Sequence, residues 1–141
     1  MTRTFLARGL TAALVSLSAA FVAHAQSRLS VDIPFPYTAS KAAMPAGTYS
    51  VTSDLGTGIV VLRSADTKHV VALAGHLVEP SLSNHAPALG FTCYGEKCFL
   101  ARVWGGDSPA GVEFKKSPAE REQMASLTAK PKVLTLKASV R

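Results

Sequence analysis

LGFTCYGEKCFLARVW, residues 89–104, reads as a β-hairpin and decides the fold class. Two apolar runs flank Tyr94-Gly95-Glu96-Lys97, a polar stretch whose glycine suits a tight turn. With Gly95-Glu96 as a two-residue turn, Tyr94 pairs with Lys97 and Cys93 stands directly opposite Cys98. A non-hydrogen-bonded pair of this kind holds its α-carbons about 4.5 Å apart, within disulfide range. The bond is expected to form and to stabilise by about 2 kcal/mol, by restricting the unfolded chain. A redox-active pair needs an activated thiolate, usually in C-x-x-C at a helix N-terminus, and C-x4-C in a hairpin lacks that setting. Zinc would need two further thiolate or imidazole ligands. The same register places Phe91, Cys93, Cys98 and Leu100 on one face, and Phe99, Ala101 and Val103 on the other. Two apolar faces predict cover on both sides. Trp104, at the strand end, reads either as rim packing or as a platform for ligand stacking.

Towards the N-terminus, Pro and Gly divide the chain into short apolar runs, the pattern of an all-β domain. Val31 to Tyr37 alternates with Asp32, Pro34 and Pro36 and predicts an edge or irregular strand, because proline cannot donate to a ladder. Turns at 44–47, 55–58 and 65–68 separate strands over Tyr49–Ser53, Ile59–Ser64 and His69–Gly75. Ile59–Leu62 and Val70–Leu73 are nearly continuous apolar runs, which predicts cover on both faces. Glu79–Pro87 reads as a loop and Val112–Phe114 as a short strand.

Towards the C-terminus, Ser117-Pro118-Ala119-Glu120 predicts a helix start. Ser117 at N-cap and Glu120 at N3 make a capping box, with Pro118 at N1. The helix is expected over about 118–128, ended by Pro131, with a terminal strand over 133–140. The expected fold is an all-β antiparallel sandwich or small barrel of about seven to eight strands, with one short C-terminal helix.

The chain has 141 residues, 48% hydrophobic and 17% charged, with formal net charge +6, and a mean hydropathy of +0.21. These totals disfavour disorder and leave room for one core. Residues 1–25 read as a signal peptide: Arg3 and Arg8 precede an apolar run from Gly9 to Val22, and Ala23-His24-Ala25 fits the small-residue cleavage rule. Cleavage after Ala25 leaves a single β-rich domain, 26–141. Losing two arginines lowers the net charge from +6 to +4. The expected location is periplasmic or extracellular. Export argues against a nucleic-acid role. Lys115, Lys116, Lys130, Lys132, Lys137 and Arg141 suggest anionic envelope polysaccharide or a membrane surface as partner, or else a solvated face guarding a strand edge. The oligomeric state is left open.

The three histidines beyond the leader are His69, His76 and His85. On one continuous strand His69 and His76 face opposite sides. His76, Glu79 and His85 sit on a loop and are the candidate metal or hydrolytic cluster, with Trp104 the other candidate ligand residue. The chain has no G-x-S-x-G elbow, P-loop or G-x-G-x-x-G. The acids sit mostly in turns and at strand edges, not as the two placed carboxylates of a glycosidase. The expectation is therefore a non-catalytic exported domain, a binding module or envelope structural component, with no cofactor and no resident metal. Two alternatives stand beside it: a carrier of a small apolar ligand in a barrel interior, and a hydrolase with a loop-borne site.

MPAGTYSV (44–51), CYGEKCFLARVW (93–104) and KSPAEREQ (116–123) together resemble a group of uncharacterised small secreted β-domain proteins of soil bacteria. Their pattern is Leu or Met followed by PAG-x-Y-x-V, then YG-x-x-x-FLA-x-VW, then KS-x-AERE. The resemblance covers residues 31–126. It implies an exported, compact β domain and no particular activity. Cys93 and Cys98 fall at positions often not cysteine in that pattern, which favours a local staple over a shared redox role. The tail 128–141 is longer and more strand-like than the pattern.

Overall fold

The structure, a computed structural model, describes residues 28–78, 86–106, 108–127 and 130–141. The expected leader, the cleavage site after Ala25, and Glu79 and His85 lie outside the described residues. Among those described, the strands are β1 (Arg28–Ile33), β2 (Tyr37–Ala39), β3 (Ala42–Met44), β4 (Gly47–Asp54), β5 (Ile59–Ser64), β6 (Val70–Ala74), β7 (His76–Val78), β8 (Ala88–Tyr94), β9 (Lys97–Trp104), β10 (Gly111–Glu113), β11 (Lys132–Lys137) and β12 (Ser139–Val140). The one described helix is α1 (Pro118–Ser126). It is too short to cross a membrane.

The strands form two sheets, ordered β12-β1-β4-β5-β6 and β11-β8-β9-β10-β7, with β2 and β3 appended to the second. The arrangement is a sandwich, with more strands than the seven or eight expected because several runs are split. Val31–Tyr37 is cut at Pro34 and Pro36: β1 pairs with β4 in the first sheet, and β2 runs parallel to β9 in the second. His69–Gly75 is not one strand continuing to His76. The chain leaves the first sheet at Gly75 and enters the second as β7. A side chain at Gly75 would collide with the Glu113 backbone carbonyl, so the crossing needs glycine. The predicted strand 133–140 is likewise two: β11 pairs with β8, Ala138 N–H bonds the Pro87 carbonyl at 2.9 Å, and β12 returns to β1. A strand that changes sheets thus closes each side of the sandwich.

The core lies between the sheets. Leu29, Ile33, Tyr49, Val51, Val60 and Leu62 of the first sheet are fully buried against Leu89, Phe91, Val103 and Val112 of the second. Phe91 stands edge-on to Phe35 and Tyr37 at 5.2 and 5.3 Å, and Tyr37 to Tyr49 at 5.6 Å. This aromatic chain fills the space between the sheets. Burying each such side chain contributes about 1.5–3 kcal/mol.

The hairpin register is as expected, Cys93 opposite Cys98 and Tyr94 opposite Lys97. The disulfide is present, with α-carbons 4.0 Å apart. Cover on both faces holds for β8 but not for β5 and β6. Ile59 and Val70 remain 43% and 48% exposed on the outer face of the first sheet, so those runs are half-buried strands.

Candidate functional site

β9 carries Arg102 and Trp104 near its end, and a β-bulge decides where they point. Thr92 pairs with Phe99 and Phe91 with Leu100, but Gly90 pairs with Arg102, so Ala101 is the extra residue. The bulge reverses the alternation beyond it. Val103, expected on the outer face with Phe99, turns into the core and is 1% exposed. Trp104 then faces outward.

Two glycines give the indole its seat. A Cβ at Gly90 would lie 3.2 Å from the six-membered ring, and one at Gly111 would lie 2.7 Å from its Nε1 edge. Any larger residue at Gly111 would push the ring off the sheet. A glycine inside a strand signals close approach of another group or a bulge, and Gly90 marks both here. That signal could have placed the site from sequence.

Charged side chains surround the ring in pairs. Arg102 and Glu113 are opposite one another on β9 and β10, Nε to Oε2 2.6 Å. Lys116 Nζ lies 3.5 Å from Glu120 Oε1, and the Tyr94 hydroxyl donates to the same oxygen at 3.1 Å. Glu120 is buried, and a buried carboxylate requires such partners. Burial pushes the Tyr94 phenol above its ordinary range, and the adjacent Glu120 charge adds to the shift. The N-cap half of the capping box is present, Glu120 N–H to Ser117 Oγ 3.2 Å. Its return bond is not: the Glu120 carboxylate turns to Tyr94 and Lys116, 26 and 4 residues away in sequence. A long-range donor and a cation outcompete the local amide.

Arg102, Glu113, Lys116 and Glu120 line a cavity of about 140 Å³ over Trp104. It offers a partly exposed aromatic face, carboxylate acceptors and cationic donors, and the hydroxyls of Thr92 and Thr135. A small polar ring with an apolar face fits that chemistry. Glu113 and Glu120 share the cavity, but each is engaged by its own cation, and among the described residues no histidine lines it.

The other expected site residues are placed elsewhere. His76 is not on a loop as expected: it pairs with Glu113 as the first residue of β7 and is exposed on a separate groove of about 420 Å³ lined with Gly75, Phe114 and Lys115. His69 Nδ1 contacts the Thr67 hydroxyl at 2.8 Å, in the turn before β6. Among the described residues no three His, Cys, Asp or Glu side chains form a metal-holding group. Cys93 and Cys98 are joined to each other at the hairpin tip. No family model, no curated protein and no solved structure matches this chain.

Proposed function

We propose that this chain is an exported, non-catalytic binding module that takes a single saccharide-like ring onto Trp104. The observation that carries the reading is the outward indole, laid on Gly90 and Gly111 inside a rim of paired charges. Sugar rings offer a C–H face to an aromatic ring and hydroxyls to carboxylates and guanidinium groups. The intramolecular disulfide is compatible with an oxidising compartment. The leader-like residues 1–25, and the resemblance to small secreted β domains, support export to the periplasm or medium.

Trp104 is the only tryptophan, so its emission reports the site directly. Titration with glucose, N-acetylglucosamine and their short oligomers should shift or quench that emission in a saturable way, and Glu120→Gln should weaken the effect. Flat emission across the panel would overturn the reading and leave an envelope structural role. A hydrolytic reading draws on Glu113 and Glu120 sharing one cavity. Release of reducing ends from the oligomers would favour it; intact oligomers favour binding alone.

A further inference from the structure

We propose that the outward face of the first sheet is a second site, which binds an acidic polysaccharide through Arg28 and Arg63. The strand register sets out the face. Arg28, Thr52 and Val61 lie side by side across β1, β4 and β5, and Ser50 lies beside Arg63 in the next row. Arg28, Ser50, Thr52, Val61 and Arg63 line one depression of about 170 Å³. Two strand spacings and two residues separate the arginines, about 12 Å between α-carbons. Side chains of that length can hold neighbouring carboxylates of one polymer bidentately. Ser50 and Thr52 stand between them as hydroxyl partners for sugar hydroxyls. The Arg141 amide bonds the Arg28 carbonyl at 2.9 Å, so the backbone of a third arginine adjoins the row.

The charge is available. Among the described residues the ion pairs use Arg102 and Lys116, not Arg28 or Arg63. Of the acids on these strands, Asp54 lies one row beyond Arg28 and Thr52, and Asp32 one row beyond Ser30 and Ser50, so both stand outside the two rows that line the depression. A lipid surface fits less well. The apolar members of the face, Ile59, Val61 and Val70, are few and include no aromatic ring, whereas interfacial surfaces present a continuous apolar face with tryptophan or phenylalanine. The proposal is independent of the Trp104 pocket, which lies on the other sheet.

The test is binding of the disulfide-intact protein to polygalacturonate, neutral dextran and anionic phospholipid vesicles, each at low and at high salt. Polygalacturonate should bind and weaken with salt. Arg28→Gln with Arg63→Gln should lose at least about tenfold in affinity, while Lys130→Gln with Lys132→Gln should change it little. Arg63→Lys, which keeps the charge but not the fork, should fall between and serves if the double variant folds poorly. Full affinity in the arginine variants, equal binding of dextran, vesicle binding without polygalacturonate binding, or no binding at all would each overturn the proposal. Trp104 emission should stay unchanged throughout.

Discussion

β5 and β8 begin as similar apolar runs and finish in different surroundings. In β5 burial alternates strictly, with Val60 and Leu62 in the core and Ile59 and Arg63 exposed. In β8 every residue except Thr92 is buried. The first turn of α1 accounts for part of the difference. It is tied to β8 through Tyr94 and Glu120 and, with Lys116 just before its N-cap, lies over the outer face of the second sheet. Among the described residues, nothing comparable covers the outer face of the first sheet, where Ile59 and Val70 are exposed. β-branched residues suit a pleated surface whether or not anything covers them, so an apolar run alone does not report cover. A polar group on a neighbouring element that needs a buried partner is the better sign.

Substitutions can break this comparison, and the largest effect belongs in the core both sheets share. Phe91→Ala removes the ring that meets Phe35 and Tyr37 and should destabilise by about 3–5 kcal/mol in denaturant unfolding. Tyr94→Phe attacks the cover: Glu120 loses its hydroxyl donor, and stability should fall by about 1.5–3 kcal/mol. Cys93→Ala with Cys98→Ala, or reduction of the wild type, should lower it by about 2 kcal/mol; an unchanged midpoint under reductant would remove the staple from the account. Ser117→Ala removes the N-cap acceptor and should lower it by about 1 kcal/mol. Val61→Thr, on the open face of the first sheet, should stay within about 0.5 kcal/mol. A large loss there would mean that this face is covered after all.

The hairpin register, the disulfide, the Ser117 cap and the bounds of β5 were legible because each depends on neighbours within a few residues. The Cys93–Cys98 pairing follows from a two-residue turn, and the cap from one hydroxyl and one amide. The bulge at Ala101 was not legible from alternation, which placed Val103 outward and so hid the direction of Trp104. It depends on which strand position faces Gly90. The changes of sheet at Gly75 and Ala138 are set by packing across the sandwich: Gly75 marks where the first one falls but not which sheet the chain enters next, and residues 133–140 carry no such mark. The role of Glu120 was half legible: the residue was picked out for the cap, but its hydroxyl partner lies on a strand 26 residues earlier. Of the expected ligand residues, Trp104 lies in the candidate site, while His76 lies on a different groove.

The proposed role of Trp104 as a ligand platform rests on the bulge at Ala101 and on the seat formed by Gly90 and Gly111. An amide and indole shift map of isotope-labelled protein, recorded with and without N-acetylglucosamine oligomers, tests it most directly. The account predicts saturable shifts at the Trp104 indole N–H and at the amides of Gly90, Gly111, Glu113 and Glu120, with the hairpin tip and the first sheet unmoved. Absence of shifts, or shifts centred on another face, would contradict it.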